Sequence, residues 1–168
     1  MIKTTLENIA RFVVLLLLQV LVVNNLQLHT LCSPYIYIFF ILLLPLETPR
    51  WLDVLLAFAM GFFMDIFSDT PGMHSFACTL IGYLRYFIIK LFVNEENRIS
   101  GLPSFAQFGA PDYIKYVATL VLIHHIALFA LEAFSLANFG WLLVRIVLSS
   151  LVSIALILAF SLFERHKA

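Results

Sequence analysis

The sequence predicts an all-α, polytopic membrane protein with six transmembrane helices. Hydrophobic residues make up 62% of the chain and the mean hydropathy is +1.01, whereas a soluble domain is only about 45–50% apolar. Apolar runs of about 17–25 residues recur along the chain, and a helix needs that length to cross a hydrocarbon core of about 30 Å. We therefore expect residues 1–168 to form a single integral membrane domain.

The predicted spans follow one another with one long connection, at residues 94–112. The first follows Lys3 and Arg11 and resembles a signal peptide, but no small-x-small cleavage site comes after it, so we expect it to be retained. The second is short, and we expect it to be less tilted than its neighbours or packed inside the bundle. The six spans cover approximately residues 9–23, 33–46, 51–67, 73–93, 113–136 and 139–163.

The connection between the third and fourth spans is acidic and contains a Pro-Gly turn. Asp65 and Asp69 are spaced i, i+4, so they would share a face if the helix continued. In Thr70-Pro71, we expect the threonine to cap the next helix and the proline to occupy its first turn. The pattern predicts a helix end, a tight acidic turn and a new helix start.

The placement of basic residues predicts the orientation of the spans. Cytoplasmic connections of bacterial membrane proteins are enriched in Lys and Arg. With six spans, the connections around Gln27, Asp69 and Asn138 carry no basic residue. We therefore expect both termini in the cytoplasm and the acidic turn outside. The basic residues that fall on the cytoplasmic side are Lys3, Arg11, Arg50, Lys90, Arg98, Lys115, Arg165 and Lys167.

Glu132, Arg145, His124, His125 and Arg85 are among the ionisable residues inside predicted spans, where such groups are costly and indicate pairing or function. Glu132 and Arg145 fall at similar depth on adjacent antiparallel helices, which favours a structural ion pair over a proton or substrate relay. His124 and His125 point about 100° apart and do not form a metal site by themselves. Arg85 could snorkel, pair with an acid or touch a lipid headgroup, and the sequence does not choose among these roles.

The sequence argues against an enzyme and predicts no metal or cofactor. Gly61-x-x-x-Asp65-x-x-x-Asp69 matches the second half of the CDP-alcohol phosphatidyltransferase signature. The first half, Asp-x-x-Asp-Gly-x-x-Ala-Arg, is absent upstream, and the aspartates are predicted on the outer side. No HExxH, GxSxG or P-loop motif occurs. The net charge is zero, which does not favour a nucleic-acid partner.

Two stretches carry a resemblance to a known family. Residues 45–51, Pro-Leu-Glu-Thr-Pro-Arg-Trp, and residues 61–74, Gly-Phe-Phe-Met-Asp-Ile-Phe-Ser-Asp-Thr-Pro-Gly-Met-His, resemble the rod shape-determining protein MreD, most closely its Bacteroides-group version. The resemblance implies association with the single-span protein MreC, and through it with MreB, RodA and a class-B penicillin-binding protein. The residues it offers for partner docking, or for a structural turn, are Gly61, Asp65, Asp69, Pro71, Gly72 and His74.

A second class of membrane protein has a similar size and hydropathy. The substrate-binding subunits of vitamin or metal importers also have six spans, and they need a polar ligand cavity that faces outward. The outer ends of the spans offer polar side chains for such a cavity, namely Asp65, Asp69, His74, Glu132 and Arg145. A co-purifying vitamin would indicate the importer subunit, and a co-purifying single-span partner would indicate the shape-determining protein.

Overall fold

The computed structural model describes residues 2–25, 32–95, 100–133 and 139–165, and these residues form an all-α bundle. Five of the helices are long and apolar enough to cross a membrane. The helices are α1 (Ile2–Leu21), α2 (Ile38–Leu42), α3 (Arg50–Ser68), α4 (Met73–Phe92), α5 (Phe105–Phe108), α6 (Ala110–Ala133) and α7 (Phe139–Arg165), with a 3-10 turn at Val23–Asn25 after α1.

Helices α3, α4, α6 and α7 pack in sequence order, each antiparallel to the one before. Arg85 of α4 contacts Tyr116 of α6 near one end of the bundle, and Cys78 contacts His124 nearer the other end. Helix α1 packs on α3, and Phe12 meets Phe63 edge to face. The short connections after α3 and α6 account for two of these contacts, because short loops join antiparallel neighbours, whereas the connection from α4 to α6 is longer and contains α5.

The predicted second span does cross the bundle, but its backbone is not one continuous helix. Residues 32–36 are extended, α2 supplies little more than one turn, and residues 43–49 turn towards α3. Extended chain rises about 3.3 Å per residue and helix only about 1.5 Å. Residues 33–46 therefore span a longer distance across the bundle than they would as one helix of fourteen residues. Residues 36–44 are all buried, in agreement with the predicted packing inside the bundle.

Helices α3 and α4 approach closely at two glycines. A Cβ atom on Gly61 would lie 2.4 Å from the backbone oxygen of His74, and one on Gly82 would lie 2.6 Å from the Cβ of Ala57. Small residues permit such approach between membrane helices. The close packing of Gly61 is therefore used within the chain, against α4.

The two ends of the bundle differ in charge, as the sequence predicts. Arg50, Lys90 and Lys115 share one end, and Asp69 and Glu132 share the opposite end, which we call the acidic end. The short turn expected at Asn138 and the predicted end of the fifth span at 136 lie outside the described residues. The same is true of several residues on which the predicted orientation depends. They are Gln27, Arg98 and Lys167, together with the side chains of Lys3 and Arg165.

Candidate functional site

Polar side chains of α1 and α7 satisfy the extended part of the crossing segment, residues 32–46. Gln19 accepts the backbone N–H of Ile36 at 2.7 Å and donates to the backbone oxygen of Pro34 at 3.0 Å. From α7, Ser149 accepts from Ser33 N at 3.0 Å and Ser153 accepts from Tyr35 N at 2.9 Å. Non-helical backbone at membrane depth is tolerated only where protein or water satisfies it.

The other end of the crossing segment is held by Arg85. Its Nη2 donates to the backbone oxygen of Leu44, its Nη1 donates to Asp53 Oδ2 at 2.7 Å, and its Nε donates to Tyr116 Oη at 3.1 Å. Tyr116 in turn donates to the backbone oxygen of Leu42 at 2.9 Å. Arg85 therefore neither snorkels nor lies exposed at the surface. It is a buried, paired cation that binds the carbonyl of Leu44, just after α2.

A tyrosine of the crossing segment joins two histidines from different helices. Tyr37 Oη lies 2.8 Å from His74 Nδ1 and 2.8 Å from His124 Nε2. Cys78 Sγ lies 3.8 Å from the same nitrogen of His124. Because a phenol has one proton, Tyr37 donates to one of the rings and accepts from the other. The cluster ties the crossing segment to α4 and α6.

The second histidine of the adjacent pair has a different partner. His125 Nδ1 lies 2.8 Å from the backbone oxygen of Val121, and a carbonyl only accepts, so Nδ1 carries the proton. In the neutral ring Nε2 then accepts from Ser153 Oγ at 3.2 Å. Ser153 is thereby oriented to accept from the backbone of the crossing segment. His125 therefore positions the hydroxyl of Ser153. It is itself held within α6 by Val121 and reaches across to Ser153 of α7.

Asp65 caps α4 although it belongs to α3. Its Oδ1 accepts from His74 N at 2.9 Å and its Oδ2 accepts from Ser75 N at 2.8 Å, which satisfies free N–H groups of the first turn of α4. The expectation that Thr70 caps this helix is wrong, because Thr70 Oγ1 instead donates to Asp65 Oδ1 at 2.7 Å. Pro71 is likewise not in the first turn of this helix, because α4 begins at Met73 and Gly72 is its N-cap.

The turn itself explains why the capping group comes from α3. Asp69 ends α3 with a φ of 52°, a left-handed conformation in which aspartate and asparagine are enriched. Gly72, at a φ of 81°, precedes Met73 and has no side chain with which to cap. Of the six candidates for docking, Asp69, Pro71 and Gly72 are exposed, whereas the structure buries the other three, which are Gly61, Asp65 and His74.

A cavity of about 430 Å³ opens at the acidic end of the bundle. Glu132 lines it and accepts from Arg145 Nη1 at 2.9 Å, while the guanidinium of Arg145 lies over the ring of Phe129. The side chain of Glu132 is 41% exposed and that of Arg145 is 24% exposed. The pair is thus at the rim of the bundle, and solvent weakens it relative to a buried pair. The cavity is also lined by Asn24, Cys32, Ser33, Tyr35, Asp69, Thr70 and His74.

Comparison with protein families places this geometry in a known context. The family model for the rod shape-determining protein MreD matches residues 3–167, which is nearly the whole chain. The chain belongs to the MreD family. It is therefore a multi-pass membrane protein of rod-shape determination. The chain matches no curated protein and no solved structure.

Sequence reasoning missed several residues that hold this MreD family member together. Gln19 lies in the apolar run of the first span, and Asp53 lies in the first turn of α3. A systematic search for every polar group inside an apolar run, with a requirement for a partner, would have singled out both. Among the described residues, no three His, Cys, Asp or Glu side chains are grouped to hold a metal ion. The other residues missed are Tyr37, Tyr116, Ser149 and Ser153.

Proposed function

We propose that this MreD family member is a non-enzymatic component of the bacterial cell-elongation complex that binds MreC within the inner membrane. Its role is to support rod shape and lateral peptidoglycan synthesis, through MreC and indirectly through MreB, RodA and a class-B penicillin-binding protein. The family match supports the role in shape determination. An intramembrane mode of action is supported by where the fold places the six docking candidates. Three of them are buried in the bundle and three are exposed at the turn.

Several residues that the sequence singles out inside the bundle are engaged by other parts of the same chain. Asp65 holds α4, Arg85 holds the crossing segment, and Gly61 lies against the backbone of α4. These groups are not free to contact a partner. A docking surface must therefore use side chains that the fold leaves exposed.

An exposed surface of suitable chemistry continues from the acidic turn along α3. Phe58, Phe62 and Ile66 are spaced at intervals of four residues on one side of the helix, and Asp69 follows them at the turn. Phe58 and Phe62 stack with ring centroids 6.0 Å apart. We call Phe58, Phe62, Ile66 and Asp69 the α3 stripe. A single transmembrane helix lying along it would contact Asp69 just above the membrane.

An interface of standard size buries on the order of 800 Å² per partner, which a four-residue turn does not supply. A helix packed along the α3 stripe buries more surface than the turn alone. The large side chains of the stripe also suit an interface, because large side chains dominate the contact energy. We therefore place the MreC contact on the stripe, with the turn at its outer edge.

Co-purification of tagged MreC from membranes tests the proposal. Phe62→Ala and Asp69→Arg are each expected to reduce the recovered MreC and to make rod-shaped cells rounder, at unchanged membrane levels of the protein. Phe160→Ala is the matched control, since Phe160 is an exposed phenylalanine on α7, and it is expected to leave both readouts unchanged. Wild-type recovery of MreC with both stripe variants would place the docking surface elsewhere.

The cavity at the acidic end is the feature that an importer subunit would share. A small molecule retained in the purified protein, and lost on substitution of Glu132 or Asp69, would favour the importer-like function. The membership of the MreD family favours the shape-determining function. Retention of MreC without a small molecule would agree with that assignment.

A further inference from the structure

A second, smaller cavity lies at the opposite end of the bundle, between the start of α3 and the end of α4. Its volume is about 160 Å³, many times the roughly 10–15 Å³ that one water needs. It is too small for an acyl chain but large enough for a compact polar group. Thr48, Arg50, Asp53, Arg85 and Tyr86 line it.

Asp53, which lines this cavity, has one carboxylate oxygen without a partner among the described residues. Asp53 lines the cavity and its side chain is 5% exposed, and Oδ2 accepts from Arg85. Its Oδ1 is buried and accepts no hydrogen bond from any described residue. A buried charged oxygen left unpaired is costly. A ligand in this cavity would therefore offer a hydrogen-bond donor to Asp53.

The same cavity also offers an unneutralised positive charge. The guanidinium of Arg50 lies 3.4 Å from the centre of the Tyr86 ring, and no described carboxylate forms an ion pair with it. Pro49, the residue that precedes α3, makes no side-chain cap; its oxygen accepts the N–H groups of Leu52 and Asp53, and those of Arg50 and Trp51 remain available. A helix start beside an arginine attracts phosphate groups. The ligand would therefore also carry an anion.

We propose that this cavity binds the headgroup of a membrane phospholipid whose phosphodiester is joined to a hydrogen-bond donor. The phosphate lies against Arg50, the hydroxyl of Thr48 and the start of α3. The donor, an ammonium in phosphatidylethanolamine or a hydroxyl in phosphatidylglycerol, reaches Asp53 Oδ1. The proposal concerns a lipid site at the end of the bundle opposite the acidic turn, and it does not depend on the MreC contact.

The surroundings of the cavity favour a lipid over a soluble phosphate. Trp51 is 67% exposed beside Arg50, and Phe87 is exposed beside Tyr86 on α4. Aromatic side chains at this depth are typical of the membrane interface. The exposed surface of α4 continues from Phe87 towards the middle of the bundle at Tyr83, where an acyl chain attached to the headgroup would lie.

Native mass spectrometry of the purified full-length protein tests the proposal. The protein is incubated with equal amounts of phosphatidylethanolamine, phosphatidylglycerol or phosphatidylcholine that have identical acyl chains. Phosphatidylcholine has the same phosphate, but its quaternary ammonium has no N–H to donate. We expect one tightly retained lipid per chain with either donor-bearing lipid, and about tenfold weaker retention of phosphatidylcholine, the loss of one charge-assisted hydrogen bond.

Variants at the surface of the cavity separate this site from general lipid adhesion. Arg50→Gln and Thr48→Val are expected to reduce retention of the donor-bearing lipid, about tenfold for the loss of the arginine. Lys115→Gln is the matched control, because Lys115 is an exposed cation at the same end of the bundle. It is expected to retain lipid as the wild-type protein does. An excess of inorganic phosphate is expected not to displace the lipid.

Three results would overturn the proposal. Equal retention of all three lipids would show that no donor is recognised at Asp53. Unchanged retention in both variants would show that the phosphate is held elsewhere and that water fills the cavity. Displacement of the lipid by inorganic phosphate would show that the site takes the free ion.

Discussion

Arg85 of α4 and Asp53 of α3 form an ion pair of 2.7 Å inside the bundle, with side chains only 3% and 5% exposed. The remaining donors of the guanidinium bind a tyrosine hydroxyl and a backbone carbonyl of the crossing segment. One arginine thus links α3, α4, α6 and a segment that has little helix of its own. The unpaired backbone of a broken crossing creates the need for such a cation.

Replacement of Arg85 is therefore expected to destabilise the protein strongly. Arg85→Gln leaves Asp53 uncompensated and is expected to cost about 3–5 kcal/mol of stability. Arg145→Gln is the comparison, since its partner Glu132 lies at the partly exposed rim and such pairs contribute only about 0–1 kcal/mol. The thermal unfolding midpoint of the purified proteins, by fluorescence-detected size exclusion, measures the difference. Equal losses in the two variants would contradict the assignment of Arg85 as the structural cation.

Two serines of α7 provide a matched test of how the crossing segment is held. Ser153→Ala removes the acceptor of Tyr35 N–H and is expected to destabilise by about 1–3 kcal/mol, because a buried donor is left unsatisfied. Ser150 is also buried, but its hydroxyl has no partner among the described residues. Ser150→Ala is therefore expected to be neutral or slightly stabilising in the same thermal measurement. A reversed order would show that the hydrogen bond to Tyr35 contributes little.

The contact between α3 and α4 is tested at a glycine. Gly61→Ala places a methyl group 2.4 Å from the backbone oxygen of His74, so the helices must separate and stability is expected to fall by more than about 1–3 kcal/mol. A Cβ on Gly140 of α7 meets no atom within 4 Å, and Gly140→Ala is expected to be tolerated, because alanine favours helix. Thermal midpoints and the yield of folded protein decide between the outcomes. A stable Gly61→Ala protein would mean that α4 can shift without loss.

The orientation of the bundle is tested with single cysteines at its two ends. In a background without Cys32 and Cys78, Pro71→Cys is expected to react with a membrane-impermeant thiol reagent in cells whose outer membrane is permeabilised. Ala106 is exposed at the end of the bundle opposite the acidic end, and Ala106→Cys is expected to react only after the inner membrane is lysed. The physical reason is the bias of Lys and Arg towards the cytoplasm. The reverse labelling pattern would overturn the proposed orientation.

The sequence alone determined that the protein is an all-α membrane protein with several spans. Runs of apolar residues long enough for the hydrocarbon core predict spans, because the bilayer imposes its thickness on any helix that crosses it. The same local pattern predicted which charges share an end of the bundle. Asp65 and Gly61 were also singled out from the sequence, although the structure shows Asp65 as the cap of α4 and Gly61 as a packing contact.

Only the tertiary structure decided how the second crossing is built and which polar residues hold it. Ser33 and its acceptor Ser149 are 116 residues apart in sequence, and Tyr35 and Ser153 are 118 apart. Hydropathy and helical periodicity are local properties and carry no information about such pairs. The run from 33 to 46 is apolar enough to be predicted as a helix. Its extended backbone is stable only because folding brings Gln19, Ser149 and Ser153 to the N–H and C=O groups that a helix would have satisfied internally.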